Sequence, residues 1–325
     1  MFIRFFKSNN ASALLFLPLI AIIIWVFGYI NPNAPLPVKH AMPLYDLIAG
    51  IFTTIPWLST TIGLLLIIGE AFLLNFIVNE NEVLEKQNYL PALFYIVFMS
   101  NNDAMLMLHP LLFGNLFILF ALHRLLSSYR KDKAFSESFD AGLLISIASL
   151  FYFPFVVFLP LLGVALILLR PFNWREWIIS FFGAVIPYLF VLTVYFWNDT
   201  LEYLFYDKMF YQFIREKPVL DFPKTFYFMI GIGWVIVFFA IVKIILGVGI
   251  GSQRTKKSVI LFVWFLFFSA FSILLAPEIS TKYFSALAIP SAIFCANYFT
   301  HIKKEWWAEF LFLLLLSSLF VNLIL

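Results

Sequence analysis

Runs of about twenty apolar residues recur almost from end to end of this 325-residue chain, and they leave few folds open to it. Stretches such as ALLFLPLIAIIIWVFGYI and TIGLLLIIGEAFLLNFIV are the length that a helix rising 1.5 Å per residue needs to cross a hydrocarbon layer of roughly 30 Å. Such runs lie near residues 11–30, 57–78, 90–100, 105–126, 139–154, 155–170, 178–197, 225–248, 258–276, 283–299 and 308–325. They predict an all-α fold: a polytopic transmembrane helical bundle of about eleven spans, forming a single integral membrane domain over residues 1–325. Composition agrees, with 63% hydrophobic and 12% charged residues, where soluble domains carry about 25% charged.

Two stretches depart from the pattern. Tyr89–Ser100 is short for an untilted span, and Phe139–Arg170 is interrupted by Pro154 and Pro160, which reads as two helices or a kinked re-entrant pair. The first run follows Arg4 and Lys7, exceeds the length of a secretory signal core and has no small-residue cleavage site after it, so it is expected to stay as a first helix with a cytoplasmic amino terminus. Alternation then places Arg124, Arg130, Lys131, Lys133, Arg170, Arg175, Arg254, Lys256, Lys257, Lys303 and Lys304 inside, an excess that follows the positive-inside rule. Longer outer segments are expected at Asn31–Pro56 and Asn198–Lys224. The net charge of +3 is scattered over loops and does not point to nucleic acid, and one cysteine, Cys295, excludes an internal disulfide.

Glu70, within IIGEAFLL, is the most informative intramembrane charge. It sits roughly 12 Å from the inner end of its helix, at a depth where an acidic group costs about 2.5–3.5 kcal/mol. It needs a partner, a proton or a water-filled cavity. Asn75 and Asn115 are the candidate partners if it only holds helices together, and a relay in a proton-coupled transporter is the functional alternative. At the outer face, His40, Asp46, Asp103 and His109 supply bases and acceptors of the kind used in general acid–base chemistry or divalent-metal binding if their loops converge. The plainer reading has Asp46 capping a short interfacial helix over 44–52 and His109 hydrogen-bonded to a carbonyl freed by Pro110. The second outer segment interleaves aromatics with Lys208, Arg215 and Lys217, a pattern suited to an amphipathic surface helix that grips a lipid phosphate, or to a solvated loop with belt aromatics. LRPFNWREW, with Arg170, Trp174, Arg175 and Trp177, reads as an inner headgroup anchor. No phosphate loop, zinc-helix motif or serine elbow is present, so no metal site or resident cofactor is assigned from the sequence.

The stretches NYLPALFYIVF, LHPLLFGNLFILFAL and SLFYFPFVVFLPLLGVALILLRPFNWREWIISFFGAVIPYLF resemble those of a family of polytopic inner-membrane proteins of unknown function from Bacteroidota. That resemblance implies a bacterial inner membrane and a role in the cell envelope. A looser one is to C-type glycosyltransferases that use polyprenyl-phosphate sugars. It implies Asp46 as the base in the first outer loop and Arg215 or Lys217 as holders of the donor phosphate. The expectation is an envelope-assembly protein that handles a lipid-linked substrate at the outer face. The alternative is a non-catalytic subunit of an inner-membrane protein complex.

Overall fold

A computed structural model describes residues 2–8, 11–30, 41–52, 55–211, 224–245, 251–276 and 281–324. Among them the order is α1 (Phe2–Lys7), α2 (Ala11–Ile30), α3 (Pro43–Phe52), α4 (Pro56–Glu80), α5 (Leu90–Met99), α6 (Pro110–Ser127), α7 (Phe135–Phe151), α8 (Leu159–Leu169), α9 (Trp174–Trp197), α10 (Leu201–Tyr203), α11 (Lys224–Ile245), α12 (Gln253–Leu274), α13 (Ala288–Thr300) and α14 (Glu305–Ile324). A π-helical turn continues α10 over Leu204–Phe210, and 3-10 turns cover Asp103–Met105, Phe153–Phe158 and Thr281–Leu287. No strand occurs among the described residues. Helices α4, α5, α6 and α8 begin with proline at their first or second position, where the absent N–H has no intrahelical partner to lose.

Six described helices, α2, α4, α6, α9, α12 and α14, are long and apolar enough to cross a membrane, which marks the chain as an all-helical membrane protein. The outer helices leave broad apolar surfaces bare: Leu15, Ile23, Phe190 and Trp197 are each at least half exposed, as lipid-facing side chains are. Proline punctuation divides the 139–170 region as the two-helix alternative requires. Helix α7 ends at Phe151, the buried turn Phe153–Phe158 reverses the chain, and α8 returns to end at Leu169.

The middle of the bundle is made of short helices. Helix α5 has 10 residues, about 15 Å of rise, and all but Phe98 are buried. It packs against α13, whose end lies beside the start of α5 because Asn88 Nδ2 donates to Thr300 Oγ1 at 3.2 Å. After α5 the chain touches the surface at Asp103 and otherwise stays largely within the protein. Ser100, Met105, Leu106, Leu108 and His109 are all buried, and side chains from distant elements satisfy this segment. Trp25 Nε1 donates to Ser100 Oγ at 3.0 Å, Leu108 N donates to Ser59 Oγ at 3.0 Å, Tyr45 Oη donates to Leu108 O at 3.3 Å and Asn322 Nδ2 donates to Asn101 O at 2.5 Å. Asn102 bonds Thr281 in addition. Non-helical backbone persists at such a position only when protein atoms take the place of water.

The most extensive helix pair among the described residues, α7 with α9, rests on small residues. A Cβ built on Gly142 would strike the carbonyl of Ser180, and one on Gly183 would strike the carbonyl of Phe139, so each glycine admits the backbone of the other helix. Ser146 Oγ donates to Ala184 O at 2.6 Å, next to the turn in which Pro187 withholds its helical donor. Gly142→Leu or Gly183→Leu is therefore expected to lower the thermal midpoint of the detergent-purified protein, at a cost of about 1–3 kcal/mol or more. Gly69→Leu, at an exposed glycine with open space beside it, should leave the midpoint in place. Equal tolerance of all three substitutions would show that α7 and α9 do not meet as described.

Candidate functional site

Three polar constellations stand out against the apolar bundle. The first is intramembrane. Glu70 of α4 is fully buried, and its Oε2 accepts a 2.7 Å hydrogen bond from Tyr95 Oη of α5. Asn115 of α6 reaches the same tyrosine hydroxyl and lies 3.6 Å from Met99 Sδ through its Nδ2. The donor to Glu70 is therefore Tyr95 and not Asn75 or Asn115, the partners expected from the sequence. Asn75 lies five residues further along α4, which on a 3.6-residue helix turns it well away from the Glu70 face, and its Oδ1 has no hydrogen bond among the described residues. Three helices thus share one buried polar contact. Sequence reasoning passed over Tyr95 because, in LPALFYIVFM, it looks like any belt aromatic; the only available signal was that a buried tyrosine hydroxyl also needs a partner.

The second constellation lies on the face where α3 begins. Asp46 stands inside the first turn of α3, the short helix expected around it, and its half-exposed carboxylate forms an ion pair with Lys208 of the π-helical turn. The Lys208 ammonium is buried and also donates to Ala41 O at 2.7 Å. It lies 5.5 Å from the centre of the Tyr203 ring. Instead of lying on a lipid-gripping surface or in a solvated loop, Lys208 folds inward, where the Ala41 carbonyl and the Asp46 carboxylate, 167 and 162 positions earlier in the chain, take its ammonium. Tyr45, next to Asp46, is buried, and desolvation followed by the Asp46 charge raises its hydroxyl well above the ordinary value.

Of the other members of the expected outer site, Asp103 and His109 fall within the described residues. Asp103 is exposed in its 3-10 turn, where partial desolvation raises its carboxyl from the usual carboxylate value. His109 is buried at the start of α6. Among the described residues no three His, Cys, Asp or Glu side chains gather closely enough to hold a metal ion. His40, Arg215 and Lys217 lie outside the described residues.

The third constellation is on the opposite face, which gathers the ends of α4, α6, α8 and α13 and the starts of α7, α9, α12 and α14. Arg170 is not an exposed anchor. Its Nη2 lies 2.9 Å from Glu176 Oε1 and its Nε 2.8 Å from Oε2, with both side chains almost fully buried. Arg170 Nη1 donates to Ser128 O at 2.9 Å, and Glu176 Oε1 accepts from Ala134 N at 3.2 Å. Asn173 caps α9 by accepting from Arg175 N at 3.2 Å. One ion pair thereby ties the loop after α6 to both ends of the α8–α9 connection.

Residues 43–324 match a family described as a family of unknown function (DUF6427). No curated protein and no solved structure matches the chain.

Two outcomes test these contacts. Tyr95→Phe leaves Glu70 without its donor and is expected to destabilise the purified protein by about 1–3 kcal/mol, read as a lower thermal midpoint, whereas an unchanged midpoint would mean that the contact does not hold α4 to α5. Arg170→Met strands a buried carboxylate at a cost of about 3–5 kcal/mol, and the double variant Arg170→Met/Glu176→Met should recover most of that loss. A double variant as unstable as the single one would show that the pair is not a closed unit.

Proposed function

The chain belongs to the family of unknown function DUF6427, and within it we propose an inner-membrane protein of the bacterial envelope that handles a lipid-linked substrate at the face carrying Asp46. In this reading five further helices, α5, α7, α8, α11 and α13, complete about eleven passes with the six long ones, and the amino terminus is cytoplasmic. The gathering of Arg124, Arg130, Lys131, Arg170, Arg254 and Lys257 on the other face supports that orientation.

The observation that carries the reading is the Asp46–Lys208 pair. A half-exposed carboxylate beside a buried ammonium, with exposed Tyr203 and Tyr206 on the same short segment, puts an acceptor, a cation and headgroup-level aromatics together at one level of the bundle. A polyprenyl-phosphate sugar offers the complementary groups: an anionic headgroup for the cation, and a glycosyl group that passes to an acceptor hydroxyl, whose proton Asp46 would take as base while polyprenyl phosphate leaves. Arg215 and Lys217, a few residues further along the chain, are the proposed holders of the phosphate.

A second reading, that of a non-catalytic subunit in an inner-membrane complex, draws support from the same contact, because Lys208 already engages the Asp46 carboxylate and ties α3 to the turn after α10. The two readings part on Asp46→Asn. An amide keeps the shape and still accepts from Lys208, so folding and abundance should hold. The transferase reading then expects loss of function with accumulation of unprocessed polyprenyl-phosphate-linked sugar in lipid extracts of the native host, measured by mass spectrometry. Normal lipid-linked pools and a normal envelope in that variant would remove the lipid-linked reading and leave the subunit.

A further inference from the structure

On the face opposite Asp46, the loop that follows α6 places an aromatic ring among cations. Tyr129 has the Arg130 guanidinium 5.3 Å from its ring centre, Lys257 Nζ at 5.6 Å and the Arg254 guanidinium at 5.9 Å. Arg254 also donates to Asn81 Oδ1 at 3.0 Å. Nearby Lys131 is matched by Glu137 and Arg170 by Glu176. Among the described residues neither Arg130 nor Lys257 has a carboxylate within ion-pair distance. Arg130 moreover takes a φ of 58°, a left-handed conformation in which arginine is uncommon and glycine is at ease. A chain that holds an arginine there and packs two more cations against the same ring gathers positive charge that its own carboxylates do not balance.

Arg130 and Lys257 line an open cleft of about 1020 Å³, walled by Arg170 and Asn173 and bordered by the exposed Phe172. Asp132 is the carboxylate on its rim, and it too is exposed. The cleft does not stand alone. Between α8 and α9 runs a laterally open groove of about 570 Å³ with apolar walls, Gly163 and Ile167 on one side and Trp177 and Phe181 on the other. Ile167 is one helical turn before Arg170, and Trp177 is one turn after Asn173, so the lane ends where the basic cleft begins.

We infer that this is a binding site for an anionic phospholipid, with the phosphate between Arg130 and Lys257 and an acyl chain along the α8–α9 groove. Both halves are needed for that assignment. A soluble anion has no use for the apolar lane, and a zwitterionic lipid offers the two unmatched cations no net charge. Trp174 and Trp177 in the first turn of α9 are the residue type that collects at headgroup level. The site is remote from the Asp46–Lys208 pair and does not depend on the function proposed there.

The test is native mass spectrometry of the full chain, purified in detergent and incubated with equimolar phosphatidylglycerol and phosphatidylcholine. Retention of phosphatidylglycerol is expected to exceed that of phosphatidylcholine by about tenfold. Arg130→Gly combined with Lys257→Gln should erase that preference. The glycine suits the left-handed backbone, so an unchanged thermal midpoint confirms that the fold survives. Ile167→Trp, at an exposed position in the lane, should reduce retention of both lipids. Equal retention of the two lipids by the unaltered protein, or a preference that survives the double substitution, would overturn the assignment. Displacement of phosphatidylglycerol by millimolar inorganic phosphate would also overturn it and give the cleft to a soluble anion instead.

Discussion

Hydrocarbon offers no partner to an N–H or a carbonyl, so wherever this chain abandons the α-helix inside the bundle, other parts of the protein must supply the missing hydrogen bonds. The segment Ser100–His109 shows how much of the architecture follows from that requirement. Its polar groups are met by Trp25 of α2, Tyr45 of α3, Ser59 of α4 and Asn322 of α14, three successive helices before it and one far along the chain. Because they close around it, α5 can stop after 10 residues and still sit at the centre of the core. The same enclosure demands close packing: a Cβ on Gly63 would run into the Trp25 ring and the backbone of Met107. Tyr45 links this enclosure to the start of α3, and so to Asp46.

Charge is handled in three ways, each suited to its depth. In the middle of the bundle Glu70 is met by a neutral hydroxyl from Tyr95. At the Asp46 face a buried ammonium is offset by a carboxylate that is itself half exposed, so part of the pair keeps its hydration. At the basic face Arg170 and Glu176 are both buried and lock together through two nitrogen–oxygen contacts, their remaining capacity taken up by backbone groups. What remains is a surplus of cations around Tyr129, and it lies where an apolar lane opens toward the membrane. Surplus charge beside exposed apolar surface is poorly matched by water alone and well matched by an amphipathic anion.

Much of the secondary structure was legible because it follows from local composition. A twenty-residue apolar run has to be a helix in a membrane, so α2, α4 and α14 fall close to the expected spans, and proline marks where α4 begins. The break between α7 and α8 was visible in Pro154 and Pro160, and the helix over 44–52 around Asp46 was visible in its sequence. The contacts of the site were less legible. Lys208 reads as one more base in a charged, aromatic stretch; that it turns inward depends on Ala41 and Asp46, 167 and 162 positions earlier in the chain. Arg170 and Glu176 read as interfacial charges, and only the return of α8 beside the loop after α6 makes a buried pair of them.

The sequence by itself determined that this chain is an all-helical membrane protein, where its long helices run and which loops collect positive charge, because hydropathy, helix length and proline chemistry act over a few turns at a time. Tertiary structure alone decided which polar side chains meet. In helices that are apolar on every side, no periodic stripe announces the facing surface. The choice of Tyr95 over Asn75 for Glu70, of Lys208 for Asp46 and of Glu176 for Arg170 was therefore made by close packing around a few glycines and by the need to satisfy every buried polar group.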